Sequence, residues 1–300
     1  MPILPWRGVG GNPILRQSVA SPADATRGRP PVPVPPDPMP GWRGGRPLKA
    51  WTYIGAYGPD VMLCAARARV GPVPVAWWAV WDRGSGRMLA RTARGRGGVE
   101  VDARRLVVAG RRVRLQLEID DGESIEVVSP HGDEYVWTRK RGGVRARGWL
   151  ELDGDRRALD LRAIVDESAG YHARRTSWRW SAGVGVAASG AAVAWNLVDG
   201  IHDAAEASER TVWVDGRPHE VGPVAFAADL SSVAPAASSG ELPAGGGLRF
   251  AAEAVRARRE NLLVLRSEYE QPFGTFAGEL PVAGELREGW GVMERHDVRW

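Results

Sequence analysis

The chain has one cysteine and two lysines among its 300 residues. A single thiol, Cys64, excludes an internal disulfide framework and a cysteine-based zinc site. Lys49 and Lys140 are the lysines; every other basic residue is arginine, as a GC-rich coding bias produces. No apolar run reaches the ~18 residues of a membrane span. The longest candidate, Ser181 to Trp195, is mostly Gly and Ala. Prolines and an arginine occupy the first seven positions, where a signal peptide would carry its apolar segment. The five histidines show no HxH or HExxH spacing, and no G-x-S-x-G elbow is present. Gly245-Gly246-Gly247 lacks the Lys-Ser/Thr of a phosphate loop, and Gly183-Val184-Gly185 lacks a βα setting. These absences predict a soluble, cytoplasmic protein with no metal, no cofactor and no stable membrane insertion. They leave the oligomeric state open.

The charge balance, 40 basic against 36 acidic residues, is too even for more than weak attraction to phosphates. Arginines are dense from Arg67 to Arg114 and Trp77-Trp78 lies among them, a mixture that single-strand binders use. The tryptophans, however, sit in an apolar run from Val75 to Trp81, and Arg91, Arg94 and Arg96 read as loop. The expectation is therefore no nucleic-acid partner.

What is abundant is turn chemistry between short apolar runs. Asp121-Gly122, Asp153-Gly154 and Asp215-Gly216 suit two-residue hairpins, and Arg83-Gly84, Ala109-Gly110 and Ser189-Gly190 add further breaks. Arg112 to Ile119 alternates polar and apolar, the period of a half-buried strand. Leu248 to Leu263 carries helix formers, but its Gly-rich lead-in and apolar continuation favour strands. No βαβ alternation occurs, so the fold class is all-β and antiparallel: two barrels or sandwiches in tandem. Residues 1–47, rich in Pro, Gly and Arg, read as a tail with too few apolar side chains for a core of their own. A first domain is expected over 48–165 and a second over 166–300.

Strand parity selects candidate site residues. On a strand over 171–181, His172, Arg174, Thr176, Trp178 and Trp180 share one face; the mixture of large rings with polar groups suits a ligand cavity, while the opposite face reads as solvated. Two alternatives stand: a cavity lining, or core tryptophans whose indole N–H groups find partners. Glu294, His296 and Trp300 share a face of the last strand. Glu294 and His296 are the candidate catalytic residues, as an acid/base pair; a structural pair with Trp300 as plug is the other reading. Lys140, with Thr138 on the same face, is either a required amine or a surface position in a basic run. Asn196, Glu209 and Gln271 are polar residues beside apolar or aromatic signals and complete a candidate lining with Asp60 and Asp203.

An ordered series of local signatures identifies a relationship. It opens with Trp51-Thr52-Tyr53, Val127-Val128-Ser129-Pro130 and Trp137-Thr138-Arg139-Lys140. It continues with Trp178-Arg179-Trp180-Ser181, Trp195-Asn196-Leu197 and Ser208-Glu209-Arg210. Gln271-Pro272-Phe273-Gly274 and the ending from Gly291 to Trp300 close it. Over residues 48–300 the series resembles the bacterial domain-of-unknown-function family 2804. That resemblance implies a distant calycin relationship, to tandem lipocalin-like carotenoid hydratases and stress-survival proteins, and with it a lipocalin-like fold. Arg210 and Arg295 depart from the family pattern. The functional expectation is a small hydrophobic or amphipathic ligand in an aromatic-lined barrel cavity. The alternative is a cofactor-free hydratase, isomerase or cyclase acting on an unsaturated substrate through a carboxyl.

Overall fold

A computed structural model describes residues 3–10, 30, 32–237, 246–261 and 266–300. Most of the Pro-rich tail, and the apolar continuation at 262–265, lie outside the described residues. Every regular element described is a strand. β1 (Trp6–Gly10) precedes a small ribbon of β2 (Trp42–Arg43) and β3 (Arg46–Pro47). There follow β4 (Lys49–Tyr57), β5 (Val61–Val70), β6 (Val73–Asp82), β7 (Arg87–Arg94) and β8 (Val99–Asp102). Next come β9 (Arg105–Ala109), β10 (Val113–Ile119), β11 (Ser124–His131), β12 (Glu134–Leu152) and β13 (Asp155–Gly170). The later part contains β14 (Arg175–Ala187), β15 (Ala192–Asp199), β16 (Thr211–Val214), β17 (Arg217–Glu220) and β18 (Val224–Phe226). It ends with β19 (Ser232–Pro235), β20 (Leu248–Asn261), β21 (Arg266–Leu280) and β22 (Gly284–Arg299).

These strands make two large antiparallel sheets, one of eleven strands and one of nine. The first runs β7-β6-β5-β4-β13-β12-β10-β9-β8, with β11 on β12 and β1 on β11. The second runs β17-β16-β15-β14-β22-β21-β20-β19-β18. Each curls until an edge returns over its own middle: β8 packs on β5, and β18 on β15. Two of the three expected Asp-Gly hairpins form, with φ of 51° at Asp153 and 49° at Asp215, each before a glycine of positive φ. Asp121-Gly122 instead links β10 to β11, which do not pair with each other. The break expected at 165/166 falls inside β13; the sheets change over 171–174. Arg91 and Arg94 lie on β7, so the loop expected there begins only at Gly95.

Side-chain alternation assigns the cores. Ile54, Leu63, Val80, Leu115 and Leu161 fill the concave interior of the first sheet. Trp195, Leu197, Phe276 and Met293 fill that of the second. The opposite parity, Tyr53, Cys64, Ala79, Trp180, Ala194 and Phe273, forms a third cluster where the outer faces of the two sheets meet. A bulge in β12 at Gly142/Val144 serves this seam. The Trp213 ring lies where a Cβ on Gly142 would be, 2.3 Å from its position, so only glycine admits the second half so closely.

The tail is partly seated. Tyr135 and Tyr171 donate to the Pro33 and Pro40 carbonyls at 2.5 and 2.7 Å. From β1, buried Arg7 crosses to the second half, reaching Thr211 Oγ1 at 3.0 Å, Glu220 at 3.4 Å and the Ser208 carbonyl.

Candidate functional site

Between the two sheets the seam opens into a cavity of about 220 Å³. This corrects the expected location. The tryptophans of β14 face a cavity, but one bounded by the outer faces of both halves, not the interior of a barrel. Alternation on β14 brings Trp178 and Trp180 to this face, and antiparallel pairing with β22 sets them opposite His296 and Glu294. Trp51 and Tyr53 of β4 form part of the facing wall.

Glu294 is buried in a cage of neutral donors. Its Oε1 accepts from Trp178 Nε1 at 2.8 Å, and its Oε2 from Tyr269 Oη at 2.7 Å and Gln271 Nε2 at 2.9 Å. Gln271 is in turn held by Tyr53 and Cys64, each at 3.5 Å, and Tyr53 shares a 3.1 Å hydrogen bond with Tyr57. Burial pushes the Glu294 carboxyl above its usual value; the Tyr269 and Trp178 hydrogen bonds and the Arg256 charge oppose this without cancelling it. Oε1, with one donor against two on Oε2, retains the site where a proton can ride.

His296 does not bond Glu294, so neither version of the expected pair forms directly. Its Nε2 lies 2.8 Å from Ser267 Oγ, and its ring meets Trp178 edge-on at 4.4 Å. Burial pushes the imidazole down to about 4, which keeps it neutral at ordinary pH.

At the other end three charges converge. Lys140 Nζ pairs with Asp166 Oδ1 at 2.8 Å and Glu209 Oε1 at 3.3 Å, and lies 5.6 Å from the centre of the Trp180 ring. The surface reading of Lys140 is overturned: it is 4 % exposed. Burial alone would lower its ammonium, but Asp166 and Glu209 outweigh it and hold the pKa above the usual value. Asn196 ties this end together, accepting from Trp180 Nε1 at 2.7 Å and donating to the Glu209 carbonyl at 2.9 Å. Trp51 Nε1 donates to Asp166 Oδ2 at 3.3 Å.

Of the residues singled out from the sequence, Thr138, Lys140, Trp178, Trp180, Glu209, Glu294, His296 and Trp300 line the cavity. Asn196 and Gln271 stand behind the wall as supports. His172 is off the strand, which starts at Arg175, and packs between Trp51 and Trp300 at 5.2 and 6.2 Å. Thr176 donates to the Ala173 carbonyl at 3.0 Å and takes no part in the lining. Tyr171, expected on a solvated face, is buried against Tyr135. Asp60 is exposed, and Asp203 accepts from Gly200 N at 2.7 Å in a turn. Sequence reasoning missed Tyr269, Asp166, Arg256 and Trp77 as wall residues. For Tyr269 a signal existed: it is two positions from Gln271 on one strand and so shares its face. Among the described residues no three His, Cys, Asp or Glu side chains gather as metal ligands.

A family model described as "Domain of unknown function (DUF2804)" matches residues 89–300. The chain belongs to that family. The match begins after β4–β6, so Trp51, Tyr53 and Trp77 lie outside the span that defines DUF2804 here. No protein of curated function matches the sequence. Among solved structures, this DUF2804 chain is similar to an AttH-like protein of Nitrosomonas europaea at 11 % identity and TM-score 0.47, covering 87 % of this chain and 98 % of that one. Kievitone hydratase of Nectria haematococca gives 9 % identity and TM-score 0.49, over 82 % and 88 % of the two chains. CghA with Sch210972 gives 10 % and 0.37, over 84 % and 88 %.

Proposed function

We propose that the cavity between the halves takes up a small, unsaturated amphipathic molecule and that Glu294 protonates it. The observation that carries this reading is the Glu294 cage. Burial without an ion-pair partner shifts this carboxyl toward its protonated form, the form a general acid needs, and the surrounding donors offset that only in part. The volume, about 220 Å³, lies below the ~300 Å³ lower end for drug-sized ligands, so the ligand is small.

In the chemistry this permits, the Glu294 proton adds to one carbon of a C=C bond and its π electrons form the new C–H bond. Positive charge develops on the neighbouring carbon, where the indole faces of Trp178 and Trp180 stabilise it. Water then adds and returns a proton to Glu294 carboxylate (hydration), or an adjacent C–H gives up its proton to the same group (isomerisation). Neither course needs a cofactor.

The test is native mass spectrometry of the wild type and Glu294→Gln after incubation with a small-molecule extract of the producing cells in D2O. Both proteins are expected to retain a molecule of the same carbon skeleton, with one non-exchangeable deuterium gained only on the wild type, alone for isomerisation or together with an added hydroxyl for hydration. No retained molecule on either protein removes the cavity reading. Equal deuterium on both removes Glu294 as donor.

A further inference from the structure

Proton transfer leaves one cavity residue without a task. Arg256 of β20 is 8 % exposed, with its guanidinium carbon 5.7 Å from the centre of the Trp77 ring and 4.7 Å from that of Tyr269. Nη2 donates to Thr92 Oγ1 at 3.1 Å, while Nη1 is buried with no hydrogen-bond partner.

Of the other cations around the cavity, Arg69 is exposed to solvent and the rest are engaged. Lys140 is held by Asp166 and Glu209, and Arg258 pairs with Glu260 at 2.7 Å. Lys49 lies 4.5 Å from the centre of the Trp300 ring and donates to the His172 carbonyl at 3.4 Å. Among the described residues no carboxylate forms an ion pair with Arg256. Glu294 is near enough to feel its charge, but the Glu294 oxygens are taken up by Trp178, Tyr269 and Gln271. Arg256 is therefore not spent as a counter-ion. A desolvated guanidinium with an unused N–H edge on an otherwise aromatic wall is costly unless an oxygen anion meets it.

We infer that Arg256 anchors an anionic head group of the ligand, specifically a carboxylate, so that the molecules admitted are amphipathic organic acids. The planar fork of arginine suits the two oxygens of a carboxylate, and the two flanking rings hold that plane in place. The unsaturated body then lies along Trp178 and Tyr269, within reach of Glu294. A bound anion also discourages ionisation of Glu294 beside it, so the ligand itself helps to keep the proton on its donor. This inference rests on the cavity reading above and narrows it to one class of ligand.

Isothermal titration with two probes of matched ring, 2-naphthoate and 2-naphthylmethanol, separates the two. The wild type is expected to bind the acid at least about tenfold more tightly than the alcohol, the worth of a charge-assisted hydrogen bond. Arg256→Met should bind the two probes alike, losing the preference, while Arg256→Lys keeps part of it. Equal affinity of the wild type for both probes overturns the anchor with no variant needed, and so does a preference that survives in Arg256→Met. If the wild type binds neither probe, the cavity reading falls and the anchor with it.

Discussion

The two ends of the cavity treat carboxyl groups in opposite ways. Asp166 and Glu209 share the ammonium of Lys140, so each carboxyl has a cation as its nearest partner. Glu294 has three neutral donors and no cation of its own, so it remains a group that can take up and release a proton. Both ends are buried. The lesson is that burial alone does not set the role of a carboxyl; the charge of what touches it does.

The comparison is most directly broken at Lys140. Lys140→Met strands two buried carboxylates and is expected to cost about 3–5 kcal/mol of unfolding free energy in urea. Glu294→Gln keeps the shape and most of the hydrogen bonds, and is expected to cost about 1 kcal/mol. Equal losses at the two sites would mean that both ends rest on charge alike.

The pH dependence sharpens the contrast. His296, pushed down from 6.5 to about 4, contributes stability that is complete above 6.5 and lost as pH falls through 4. That loss is on the order of 3 kcal/mol. His202, pushed down to about 3 by burial and by Lys140, adds to it in the same direction. His296→Gln should flatten part of this slope in urea titrations between pH 6.5 and 4. Glu294 works the other way: its contribution is full below 4.5 and lost as pH climbs through its raised value. The stability gap between wild type and Glu294→Gln should therefore narrow with rising pH. A gap independent of pH would show that Glu294 does not change its protonation state over that range. The smallest effect concerns Cys64, whose thiol burial raises to about 11. Native protein at pH 8 should leave a disulfide reagent unreacted for hours and consume one equivalent once unfolded; rapid reaction in the native state would show that the Gln271 side of the cage is open.

Much of this was legible in the residues. Alternation alone put Trp178 with Trp180, and Glu294 with His296, because a strand fixes which side chains share a face. Asp153-Gly154 and Asp215-Gly216 marked hairpins correctly for the same local reason, while Asp121-Gly122 joins strands that do not pair. What alternation does not say is which face another sheet will cover, and so the cavity was expected inside a barrel when it lies between two filled ones. Lys140 was open to a surface reading because the acids that hold it come from β13 and from the 200–210 segment, contacts no local pattern announces. Arg256 lies in a run that also suits a helix, where its parity carries no message. Asp166 was visible only as a mark of a boundary.

Two curled sheets, each with an apolar interior of its own, meet on a third apolar cluster drawn from both. Uncharged positions that look into the gap can be replaced without opening either interior, whereas the ion-paired Lys140 cannot. A lineage built this way can reshape the gap by editing a handful of outward positions, while the two shells that carry them pass on unaltered.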